Sequence, residues 1–118
     1  MDGAGLVWKI ESLGTAIVLR PVGRVDESTS AAFGNCLSQE IQSAAANGNG
    51  LVVLSLAGIS YMSSRGLRAL TLAQRESGER QVRIVLAEPN AIMREILAIS
   101  RYDLVFSVFE TTGAAVSA

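Results

Sequence analysis

Two adjacent serines, Ser63 and Ser64, stand immediately before Arg65, Gly66 and Leu67, with a second arginine at Arg68. A hydroxyl in such a setting has three chemistries open to it. It can accept a backbone N–H and cap a helix, at a gain of about 1 kcal/mol. It can carry a phosphate, whose charge of about -1.5 to -2 is stabilised by the free N–H groups and positive dipole end of a helix, with Arg65 and Arg68 adding charge-assisted contacts. Or it can act as a nucleophile, which requires a positioned base. The last is disfavoured by the rest of the chain. There is no histidine, no Gly-x-Ser-x-Gly elbow and no Gly-x-x-x-x-Gly-Lys loop, and the single lysine, Lys9, falls in the first expected strand. The chain is read as a non-enzyme, with no catalytic residue, cofactor or metal expected. The local pattern favours a plain cap over a phosphate site and leaves both open. It likewise leaves Tyr61 and Met62 between core, rim and contact surface, and Arg65 and Arg68 between a solvated face and a ligand contact.

The elements that must position these residues can be read from periodicity. Leu6–Ser12 and Thr15–Val22 are rich in β-formers and flank Leu13-Gly14, which predicts an opening hairpin closed by Pro21 and Gly23. Asp26, Ser28 and Thr29 offer caps for a helix from about Thr29 to Ala46, with Phe33, Leu37, Ile41 and Ala44 on its apolar face, and Asn47 to Gly50 end it. LVVLSLAG, from Leu51, is a continuous apolar run of the kind buried on both faces of a parallel sheet. ISYMSS reads as a linker. The run from Arg65 to Gly78 reads as a second helix, QVRIVLAE as a strand, Pro89 as the opening of a third helix bearing Ile92, Ile96 and Ile99, and LVFSVF as a last strand before a frayed tail helix. The order ββαβαβαβ(α) predicts an α/β fold with a mixed, mostly parallel sheet flanked by helices. Sites in such sheets lie beyond the carboxyl ends of the strands, which is where ISYMSSRGL falls.

Composition narrows the function classes. At 118 residues, 49% hydrophobic and 18% charged, the chain is expected to form one domain over residues 1–118. A formal charge of -1 with nine scattered arginines argues against direct nucleic-acid binding. No apolar stretch approaches the roughly twenty residues of a membrane span, and the start lacks a signal-peptide pattern, so a cytoplasmic location without membrane insertion is expected. Cys36, beside the apolar face of the first helix, reads as core.

Read as one unit, LVVLSLAGISYMSSRGLRALTLA resembles the STAS domain family, in which a strand ending in an Asp-Leu-Ser-like triplet leads to Asp-Ser-Ser/Thr-Gly-Leu or Ser-Ser-x-Gly-Leu. Here the strand end reads Ser55-Leu56-Ala57 and the motif Ser63-Ser64-Arg65-Gly66-Leu67. PVGRVDESTSAAF is similar to the family's Gly-x-Leu-Asp segment, and AEPNAIMREILAISRYDLVFSVFE to its C-terminal helix and strand. The resemblance covers nearly the whole chain. It implies an anti-sigma factor antagonist that binds an anti-sigma factor, often itself a serine kinase, and is switched by phosphorylation of the motif serine. By position that serine is Ser64, with Ser63 the alternative. The contact surface carried over is Asp26, Tyr61, Met62, Ser63, Ser64, Arg65, Gly66, Leu67 and Arg68. The chain departs from the pattern where Ser55 and Ser63 replace aspartates and Arg65 a small residue. A second reading is therefore a STAS scaffold that is never phosphorylated, in a membrane transporter or signalling assembly.

Overall fold

The alternation in VWKIESL and AIVLRPVGRV builds an antiparallel hairpin, β1 (Val7–Leu13) and β2 (Ala16–Val25), in the computed structural model, which describes residues 5–118. Gly14 makes the tight turn at φ +65°, a conformation open to glycine without steric cost. The second strand does not stop at Pro21 and Gly23 as the sequence suggests. It runs to Val25 because it changes partner: Ala16–Leu19 pair with β3 (Leu51–Ser55), and Gly23–Val25 pair with β4 (Ile59–Met62) across an irregularity at Gly23/Arg24. Gly23 sits at φ +137°, where a Cβ would lie 2.6 Å from the Gly5 carbonyl oxygen, so this crossover point needs glycine.

The sheet runs β1-β2-β3-β5-β6, with β5 over Arg83–Ala87 and β6 over Val108–Phe109, and β4 lies beside the far half of β2. Only β1 is antiparallel to its neighbour. Helices α1 (Ser30–Ala46), α2 (Ser64–Glu79) and α3 (Ala91–Ser100) connect the parallel strands. The main core is formed by Leu19, Val52, Leu54 and Leu86 of the sheet with Phe33, Leu37 and Ile41 of α1 and Leu70 of α2, and Trp8 stacks on Phe33 at 5.7 Å between centroids. Each such fully buried side chain contributes roughly 1.5–3 kcal/mol. On the opposite face, Val18, Val53, Val85 and Ala87 are covered by Ala115 of the short α4 (Thr112–Ser117). Strand β3 is thus buried on both faces, as its unbroken apolar run requires.

Five further local expectations are corrected. ISYMSS is not a linker: Ile59–Met62 is the fourth strand. Asn90 rather than Pro89 begins α3, its side chain accepting the Met93 N–H at 2.8 Å. The buried face of α3 is Met93 and Leu97, while Ile92 and Ile99 are exposed and Ile96 is half-buried. LVFSVF supplies only the two-residue β6, because Leu104 belongs to a 3₁₀ turn over Tyr102–Leu104 held by the Tyr102 hydroxyl against Thr71 and by Gln74 on the Val105 carbonyl. Cys36 is half-buried beside the core rather than within it, and burial, with Glu40 nearby, pushes its thiol pKa up to about 11.

Candidate functional site

Strands β2 and β4 end side by side, with Arg24 paired to Tyr61 and Val25 to Met62. The Ser63 N–H continues the ladder by donating to the Val25 carbonyl at 2.8 Å. Asp26 and Ser64 each stand one residue beyond that bond, so the loop into α1 and the start of α2 form one surface at the carboxyl end of the sheet.

Within the serine pair the roles separate. Ser63 is the N-cap, with extended backbone and its Oγ accepting the Gly66 N–H at 3.3 Å. Ser64 is the first residue of α2, is exposed, and its hydroxyl has no partner among the described residues. The cap that competed with a modification site is therefore supplied by the neighbour, and the Ser64 Oγ is left free beside the first N–H groups of a sixteen-residue helix.

Asp26 organises the adjoining loop. Its Oδ1 accepts the Ser28 hydroxyl at 2.8 Å and the Ser28 N–H at 2.9 Å, and Arg24 Nε approaches Oδ2 at 3.2 Å. These bonds, those from Ser28 foremost, hold its pKa below the ordinary carboxylate value, so it is anionic at neutral pH. Arg24 also lies over the Tyr61 ring at 4.2 Å from the centroid, which fixes Tyr61, half-exposed, at the edge of the surface. Thr29 precedes α1 but does not cap it through its side chain. It is buried, and its hydroxyl donates to the Arg24 carbonyl at 2.7 Å and accepts the Asp26 N–H at 2.9 Å, pinning the loop from below.

Not all the residues singled out from the sequence share this surface. Met62 is 2% exposed and Gly66 is buried. A Cβ on Gly66 would lie 2.5 Å from Met62 Cγ and 2.7 Å from Val25 Cγ1, so the glycine is demanded by the close approach of α2 to the strand ends. These two seat the helix and present no contact surface. Leu67 is half-buried against the core, while Arg65 and Arg68 are exposed, make no ion pair among the described residues and line one end of a groove of about 360 Å³ between α1 and α2. Ser30, Gly34 and Leu72 also line it, and Glu76 stands further along α2.

Several organising residues carried weaker sequence signals. Arg24 is ordinary in type and gains its role over Tyr61 only through β4, which the sequence did not reveal, and Thr29 gains its role from the loop that leaves β2. Asn90 donates to the carbonyls of Leu56, Ala57 and Ile59 and so fixes the turn before β4; its position between a proline and an apolar helix was the available cue. At the strand end, buried Ser55 donates to Glu88 at 2.7 Å, and Glu88 is paired with Arg20. Among the described residues no group of three or more histidine, cysteine, aspartate or glutamate side chains is placed to hold a metal, and no helix is long and apolar enough to cross a membrane.

Comparison with known proteins places this geometry. The family model described as STAS domain matches residues 8–115. BtrV of Bordetella bronchiseptica, which carries the name anti-sigma factor antagonist, is 33% identical over 82 residues, covering 70% of this chain and 71% of its own. The crystal structure of an anti-sigma factor antagonist from Mycobacterium paratuberculosis superposes with a TM-score of 0.78 at 19% identity, over 98% of this chain and 95% of that one. The phosphorylated form of the Bacillus cell fate determinant SpoIIAA superposes with a TM-score of 0.64 at 19% identity, over 94% and 97% of the two chains.

Proposed function

We propose that this chain, which belongs to the STAS domain family, works as an anti-sigma factor antagonist whose complex with an anti-sigma factor is broken by phosphorylation of Ser64. The observation that carries the reading is the division of labour in the serine pair: Ser63 caps α2, and Ser64 stands exposed with a hydroxyl that no described residue engages. The contact surface is Asp26, Tyr61, Ser64, Leu67 and the cations Arg65 and Arg68, with Ser63, Met62 and Gly66 holding its frame.

The switch follows from electrostatics. A phosphate brings about -1.5 to -2 charges to a surface that a partner must desolvate, next to the anionic Asp26. Within the free domain, the α2 dipole and the exposed guanidinium of Arg65 compensate that charge, so the fold persists while the complex fails. The enzyme that modifies Ser64 is in this reading a serine kinase, and the anti-sigma factor is the economical candidate because it already docks on the hydroxyl. No cofactor and no direct nucleic-acid contact enter the mechanism.

The test is capture from the native cytosol with wild type, Ser64→Ala and Ser64→Asp as baits, followed by mass spectrometry of baits and partners. The reading expects wild type and Ser64→Ala to retain a kinase-like anti-sigma factor, Ser64→Asp to lose it, and phosphate to map to Ser64. Retention of one scaffold or transporter protein by all three baits, with Ser64 unmodified, would replace it with the scaffold reading.

A further inference from the structure

Strand β1 closes one end of the sheet, with β2 on its inner edge and no strand on its outer edge among the described residues. Val7 is 67% exposed, Ile10 46% and Leu13 40%. A single exposed apolar side chain means little. Three on one unpaired strand are a template for a further strand.

The hairpin determines how that edge is presented. The two-residue turn Gly14-Thr15 leaves Leu13 and Ala16 as a hydrogen-bonded pair, and bonding alternates along the ladder from there. Leu13, Glu11, Lys9 and Val7 therefore turn their backbone groups toward β2, and Trp8, Ile10 and Ser12 turn theirs outward. Side chains alternate as well: Trp8 and Ile10 share the face of Pro21 and Leu19, under α1, while Val7, Lys9, Glu11 and Leu13 lie on the other face with Arg20 and Val22.

Charge identifies the missing strand. Lys9 is exposed, makes no ion pair among the described residues, and has Arg20 directly opposite it on β2. Like charges so placed repel, and Arg20 is itself held by Glu11 and Glu88. A carboxylate on the outer side of Lys9 would relieve the strand. We propose that this carboxylate is Glu11 of a second copy, brought there by antiparallel pairing of β1 with β1 about a two-fold axis through Ile10. In that register Ile10 faces its own copy, Lys9 faces Glu11, Trp8 faces Ser12 and Val7 faces Leu13, each unlike pair occurring twice by symmetry. All seven residues of the strand take part, and outward-facing backbone groups meet one another. Moving the axis by one residue sets Lys9 against Lys9 or Glu11 against Glu11. Moving it by two sets Lys9 against Val7 or Glu11 against Leu13. Only the Ile10 register is complementary throughout, and it is independent of the function assigned to Ser64.

A strand edge buries less than the roughly 1,200 Å² of a stable interface, so the dimer is weak, with a dissociation constant on the order of 10–100 µM. Sedimentation velocity on the full chain from about 5 µM to about 1 mM reads it directly. Wild type is expected to pass from monomer to dimer. Lys9→Glu alone and Glu11→Lys alone each place like charges opposite one another twice and weaken association about tenfold or more. An equimolar mixture of the two variants, in which every 9–11 contact is again Glu to Lys, recovers association as a heterodimer. Circular dichroism confirms that each variant is folded. A wild type that stays monomeric throughout, a self-association constant unmoved by Lys9→Glu, or folded variants whose mixture fails to associate would each overturn the proposal.

Discussion

The Ser63 backbone N–H donates to the Val25 carbonyl at 2.8 Å, and through this bond the start of α2 is attached to the end of β2. One residue further on each side stand Ser64 and Asp26. A hydroxyl and a carboxylate 38 positions apart in sequence thus share a surface because β4 lies beside β2 and delivers α2 to the right place.

The division of roles between the serines gives a stability test. Ser63→Ala removes the Oγ that accepts the Gly66 N–H and is expected to cost about 1 kcal/mol in urea denaturation, whereas Ser64→Ala changes stability by less than about 0.5 kcal/mol. Equal losses from the two substitutions would mean that Ser64 also supports the fold.

Gly66→Ala tests the seat of α2. Its Cβ would enter the space of Met62 Cγ and Val25 Cγ1, and the overpacking outweighs the gain in helix propensity, for a net loss of about 1–2 kcal/mol measured by the same denaturation. Unchanged stability would show that β4 yields easily.

Asp26 sets an acid limit. Its carboxyl is held below its ordinary pKa by Ser28, so the unfolded chain binds that proton more tightly than the folded one. The stabilisation is complete above the unfolded value of about 4 and is lost as pH falls through the lower folded value. Asp26→Asn is expected to flatten the fall in thermal midpoint below that pH; a midpoint curve of unchanged shape would assign the acid sensitivity elsewhere.

Much of this architecture is visible in sequence where one pattern dominates. The hairpin and the apolar face of α1 follow from simple periodicity, and β3 from an unbroken apolar run. Helix α3 does not, since Ile92, Ile96 and Ile99 satisfy a 3.6-residue period as well as Met93, Ile96 and Leu97 do, and only contact with β4 and the core selects the second set. Strand β4 escaped because the four residues of ISYM are too few to display a period. The serine motif stood out in the sequence, but which serine caps the helix did not, since a shift of one residue in the helix start exchanges them.

The α3 correction is itself testable by thermal or chemical denaturation. Leu97→Ala is expected to cost about 2–5 kcal/mol and Ile99→Ala less than about 0.5 kcal/mol, and the reverse order would restore the sequence-based face.

The switch at Ser64 is read by titration calorimetry of the captured anti-sigma partner against the unmodified domain and the domain stoichiometrically phosphorylated at Ser64. Unchanged circular dichroism and an affinity at least about 100-fold weaker are expected for the phosphorylated form, as like charge and desolvation at a contact centre require. Equal affinity of the two forms would contradict the switch.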